Sequence, residues 1–104
     1  KVAEAYPEAV ILHGHIGGGG DWHWTLKAMA DYPNIFTDIS GSVHDAGIIE
    51  TTYKIMGANR MLFATDGSFA SGIGKILGAD IPEEDKIKIL NNPRFKKYLE
   101  RGMK

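Results

Sequence analysis

The chain has 104 residues, 43% of them hydrophobic and 24% charged, which are the proportions of one small globular domain rather than a disordered tail. A formal net charge of −1 argues against the polyanion-binding surface that nucleic acid demands. The absence of cysteine excludes a disulfide framework and thiolate metal sites, leaving His, Asp and Glu as the strong ligands.

No apolar run approaches the roughly 20 residues of a membrane span. The opening Lys1-Val-Ala-Glu-Ala5 has neither a signal-peptide core nor an initiating Met. The expectation is a cytoplasmic protein whose chain is processed or cut from something longer. Val2 to Tyr6 reads as the tail of a helix stopped by Pro7. The apolar run Ala9 to Leu12, reaching into His13, predicts a parallel strand buried on both faces. Gly17 to Gly20 follow, then Asp21 as N-cap of a helix with Trp22, Leu26 and Met29 on one apolar face. Pro33-Asn34 turns into a second strand, Ile35 to Ile39. Ser42-Val-His-Asp45 has capping-box spacing, and the helix expected from it carries Ile48, Ile49, Tyr53 and Met56 to a stop at Gly57. The third strand is Met61 to Thr65, ending at Asp66. Asp80-Ile-Pro-Glu83 starts a helix towards Asn91, and another follows Pro93 with Phe95, Tyr98 and Leu99 facing inward. The basic residues of this last third (Lys86, Lys88, Arg94, Lys96, Lys97, Arg101, Lys104) are offset by acidic neighbours and read as a solvated helix face.

Strands alternating with helices imply right-handed crossovers and a parallel sheet, so the fold class is α/β, one domain over residues 1–104. Three strands leave two apolar edges open to another chain or segment.

In α/β units function sits at the carboxyl ends of strands. His13 and His15 end the first strand, Asp38 and Ser40 the second, Thr65 and Asp66 the third. Side chains two apart on an extended strand point the same way, so His13 and His15 can face one site. With a carboxylate such as Asp66 they would give three ligands and an open position for water, whose pKa a metal lowers towards ~7. Asp66 can instead carry the water's proton. The blander readings are strand-end histidines bonded to backbone, a turn aspartate before Gly67, and an Asp38 that braces a neighbouring loop. Gly17 and Gly18, with Gly19 and Gly20, suit either a phosphate cradle or close backbone approach to a ligand. A G-x-G-x-x-G register and a Walker lysine are both missing. His23 and His44 are expected to begin helices. Trp22 and Trp24 are candidates for a pocket mouth or for packing.

The succession Ile11-Leu-His-Gly-His15-Ile-Gly-Gly18, Pro33-Asn-Ile-Phe-Thr-Asp-Ile-Ser40 and Arg60-Met-Leu-Phe-Ala-Thr-Asp66 resembles the C-terminal part of the amidohydrolase-related family. The resemblance implies three parallel βα units equivalent to the sixth to eighth strands of a (β/α)8 barrel with divalent metal at the strand ends. It implies that His15 polarises substrate or binds metal, and that Asp66 binds metal and acts as acid and base. His13 departs from the family pattern and is an extra ligand or a pocket residue; Trp22, Ser40, Gly17 and Gly18 are candidate substrate contacts. Zinc is the expected metal, with manganese, iron or cobalt as alternatives. Such a barrel takes about 250 residues, so the family's upstream ligands have no counterpart here. A site then needs a missing N-terminal barrel segment or a homo-oligomer, in which a two-fold axis brings two sets of His13, His15 and Asp66 together.

Three functions follow. The first is metal-dependent hydrolysis, or the related decarboxylation, of a small organic substrate. The second is nucleotide or phosphate binding through Gly17–Gly20. The third is a non-catalytic assembly remnant of a barrel.

Overall fold

Residues 1–102 are described by the computed structural model, which leaves Lys104 of the basic stretch outside the described residues. The elements run α1 (Val2–Ala5), β1 (Ile11–His13), α2 (Trp22–Met29), β2 (Ile35–Asp38), α3 (Ile48–Met56), a 3-10 turn (Ala58–Arg60), β3 (Met61–Leu62), α4 (Phe69–Gly78), α5 (Glu83–Leu90) and α6 (Pro93–Gly102). The three strands form one parallel sheet in the order β1-β2-β3. Ile11 pairs with Ile35, His13 with Thr37, and Thr37 with Met61. The loops after all three strands therefore emerge at one end of the sheet. No described helix is long and apolar enough to cross a membrane.

Strand alternation divides the sheet's side chains. Ile11, Ile35 and Met61 join the main core with Leu26, Met29, Ile49, Met56 and Ile76. Phe36 points to the opposite face, fully buried beneath α6, whose Phe95 and Tyr98 meet it edge-on at 5.4 and 5.9 Å between ring centroids. Leu12 shares that face and is 47% exposed. Leu99, expected inward, is 56% exposed; Phe95 and Tyr98 already cover Phe36.

Several boundaries differ from expectation for local reasons. β1 starts at Ile11 because Ala9 N–H closes a turn onto the Tyr6 carbonyl. β3 ends at Leu62, not Thr65, because Phe63 N–H donates to Ile89 at the end of α5. The Ser42–Asp45 spacing starts no helix. Asp45 accepts the indole N–H of Trp22 at 2.9 Å, and α3 begins after Gly47, whose φ is 79°. His44 accordingly lies in a loop, whereas His23 does sit in the first turn of α2. The α4 helix was not expected, since Gly72, Gly74 and Gly78 lower its intrinsic propensity. Gly72 is required there: a Cβ would lie 2.9 Å from Thr65 Cγ2. Lys86 is not part of a solvated face; it is buried, with Nζ 3.0 Å from the Leu77 carbonyl and 3.1 Å from Glu83.

At the other end of the sheet the chain is tied by side chains that donate to loop carbonyls. Arg60 is only 8% exposed; its Nε donates to Met56, Nη1 to Tyr32 and Nη2 to Ala30, at 3.1, 2.9 and 2.9 Å. The guanidinium thus closes the C-termini of α2 and α3, where a cation complements the helix dipoles. Burial, then the charge of Arg94, pulls its pKa below the usual arginine range. Asn92 Nδ2 reaches the carbonyls of Ala58, Asn59 and Met61, while its Oδ1 accepts Phe95 N–H and starts α6.

Arg60→Ala removes the donors to these buried carbonyls and is expected to cost about 2–4 kcal/mol in urea unfolding. A loss within experimental error would show that water replaces the guanidinium. Tyr53 offers a pH test. Its hydroxyl donates to Asp85, and that bond, followed by partial desolvation and the charges of Asp85 and Glu84, raises its pKa above 10.0. A raised folded-state value means the proton is held more tightly in the folded chain. The contribution is whole below about pH 10 and is lost as pH climbs through the folded value. The stability gap between wild type and Tyr53→Phe should be flat at neutral pH and shrink at alkaline pH.

Candidate functional site

The site forms where the three strands end. β1 does not continue extended beyond His13: His15 and Ile16 adopt φ of 63° and 43°. Asp66, after β3, has φ of 48°, and these three are the positive-φ non-glycine residues among the described ones. Left-handed backbone costs an L-residue roughly 1–2 kcal/mol, and such strain concentrates where a structure must aim side chains. Here it aims two at each other. His15 Nε2 lies 3.1 Å from Asp66 Oδ2, and the two side chains are 49% and 60% exposed.

Asp38 holds this geometry. Its Oδ1 accepts the backbone N–H of His15 at 3.1 Å, the N–H of Ser40 at 2.9 Å and the Ser40 hydroxyl. Its backbone carbonyl accepts Ile16 N–H at 3.1 Å. The expected loop brace is what is observed, and the loop it braces carries His15.

The left-handed turn takes His15 out of the extended backbone on which the two-residue spacing would put both histidines on one side. By strand alternation His13 shares the face of Ile11, and its Nδ1 is 3.0 Å from the Gly14 carbonyl. Its ring lies beneath the glycine loop, since a Cβ on Gly18 would sit 3.6 Å from His13 Cε1. Among the described residues, no three His, Asp or Glu side chains gather as a cation site. His15 and Asp66 offer one nitrogen and one oxygen, donors suited to a divalent ion but short of the three protein ligands of a catalytic zinc.

Ser40 is buried with its hydroxyl committed to Asp38. Trp22 is bound to Asp45, whereas Trp24 is exposed with Lys27 Nζ 4.9 Å from its ring. Gly17, at φ of 80°, answers to packing: a Cβ there would meet the Trp22 carbonyl at 2.7 Å. Two contacts carried no sequence signal. His44 Nε2 meets Ser71 Oγ beside a cavity of about 360 Å³ between α3 and α4. Lys75 reaches from α4 to the loop after β2. Both join loops or helices that are 27 or more residues apart.

Comparison with known proteins gives the family. The amidohydrolase family model matches residues 1–92. Over 64 residues the chain is 38% identical to 2-succinyl-6-hydroxy-2,4-cyclohexadiene-1-carboxylate synthase of Pectobacterium atrosepticum, a stretch covering 62% of this chain and 24% of that protein. Amidohydrolase 2 from Bifidobacterium longum subsp. infantis has the same fold over 89% of this chain and 42% of its own, with a TM-score of 0.64 at 22% identity. The chain spans less than half of either relative.

Asp38→Ala should release the turn without dissolving the sheet. Amide exchange at His15 and Ser40 is expected to quicken strongly, with a global loss of about 1–3 kcal/mol. Unchanged protection at His15 would show that Asp38 does not hold it.

Proposed function

This chain belongs to the amidohydrolase family, and on that premise we propose that it supplies part of the site of a cytoplasmic metal-dependent hydrolase acting on a small organic substrate. In this reading β1, β2 and β3 stand as the sixth, seventh and eighth strands of the barrel. The remaining ligands come from other barrel segments or from a second copy of the chain. The observation that carries the proposal is the 3.1 Å approach of His15 to Asp66 from separate parallel strands.

The roles follow from the chemistry of the two groups. His15 directs an imidazole N–H at the substrate's carbonyl oxygen, stabilising negative charge as it develops there. That bond replaces its contact with Asp66 and frees the carboxylate. Asp66 then accepts a proton from the attacking water and returns it to the leaving group. Asp38 contributes by fixing the backbone of His15. A divalent cation, zinc before manganese, iron or cobalt, would be held in part by His15 and Asp66 and supply Lewis-acid polarisation when bound. The same pair can serve non-oxidative decarboxylation, the related chemistry of the family.

The test assays the native assembly of the chain, with its mass and metal content measured, on small amides and esters. Asp66→Asn and His15→Asn are each expected to lower kcat/KM by about 10²–10⁴ with unchanged far-UV circular dichroism. Turnover indifferent to both substitutions would overturn the assignment.

A further inference from the structure

The His15 imidazole is positioned by more than its own backbone. Gly41, at φ of 104°, packs directly on it: a Cβ there would lie 3.1 Å from His15 Cβ and 3.3 Å from His15 Cγ. The turn containing Gly41 is gripped in turn from α4. Lys75 Nζ donates to the Gly41 carbonyl at 2.8 Å and to the Ile39 carbonyl at 3.1 Å.

We propose that Lys75 is a positioning residue for His15, its ammonium group fixing the Gly41 turn against the imidazole so that the ring stays within reach of Asp66. The proposal rests on the reading of His15 and Asp66 as the working pair. Three observations support it. First, Lys75 is half-buried and has no carboxylate within salt-bridge distance among the described residues, unlike Lys86 and Lys88. A lysine placed only for solubility would extend into water. Second, burial lowers its pKa, a cost that the nearby Asp38 charge only partly opposes. That cost is offset by the two hydrogen bonds the ammonium donates to Ile39 and Gly41. Third, the two carbonyls belong to one turn, and that turn touches His15. Asp38 holds the His15 amide while Lys75, through Gly41, holds the side chain; the two grips converge on a residue in left-handed backbone.

A brace of this kind differs from general packing in what its loss disturbs. Proton–carbon spectra of the four imidazoles, recorded on the chain at one fixed pH, provide the readout. Asp66→Asn first defines how the His15 ring signals move when the pair is broken. Lys75→Met is expected to move them in the same sense, leaving those of His13 and His23 in place, and Lys75→Arg to restore them. Should the methionine variant lose its helical dichroism, Lys75→Gln takes its place with the same expectation. His15 signals that respond to Asp66→Asn but not to the lysine substitution overturn the role of Lys75 while leaving the pair intact. Equal displacement of His13, His15 and His23 marks a general loss of packing and also overturns it. If Asp66→Asn itself leaves His15 unmoved, the pair fails and the proposal with it.

Discussion

One carboxylate oxygen organises the strand-end loops of this protein. Asp38 Oδ1 receives the His15 amide, the Ser40 amide and the Ser40 hydroxyl, and so fastens the loops after β1 and β2 to a single point. Hydrogen bonds to a charged acceptor are worth about 1.5–3 kcal/mol each, against roughly 1–2 kcal/mol for each left-handed residue. The bond to His15, together with burial of Ile16, is therefore enough to offset the backbone strain of the turn. The turn is held further by Ile16 N–H on the Asp38 carbonyl and Gly18 N–H on the His15 carbonyl. The position of His15 is thus tied to a residue on the neighbouring strand.

Much of the architecture was legible because it depends on periodicity and punctuation. Short apolar runs separated by glycine, proline and capping residues gave three strands in order, and Gly57 ended α3 where expected. The closeness of His15 and Asp66 was legible only as the general rule that strand ends in α/β proteins converge. What could not be read depends on contacts distant in sequence. The Asp45 carboxylate is drawn from a capping role by Trp22, 23 residues away. Phe63 is taken from β3 by Ile89. The glycines of α4 weaken its local signal, while Gly72 is demanded by Thr65 across a packing contact. Likewise, the two-residue spacing of His13 and His15 places them on one face only in extended backbone. The change of sign in φ at His15 dissolves that inference.

The sheet's two faces are covered differently. Towards the main core, Ile11, Ile35 and Met61 meet α2, α3 and α4 in a continuous apolar cluster. On the other face α6 covers Phe36 through two aromatic contacts, the end of α5 approaches beside it, and Leu12 is left half in water. The family match ends at residue 92, immediately before α6 begins at Pro93. The helix that shields Phe36 is therefore the part of the described chain to which the family pattern does not extend. Asn92 stands at that junction and secures both sides of it. Its amide donates to the carbonyls around the start of β3, and its carbonyl oxygen caps α6.

The chemistry of the site follows from the same division between what is built and what must be supplied. An imidazole beside a carboxylate is a pairing that can steady developing charge and carry a proton. Both side chains are partly exposed at the strand ends. A catalytic metal makes a stricter demand, for three convergent ligands, and no such trio gathers among the described residues. The backbone aims His15 at Asp66, one nitrogen beside one oxygen, so completion of a three-ligand centre falls to donors beyond these two residues.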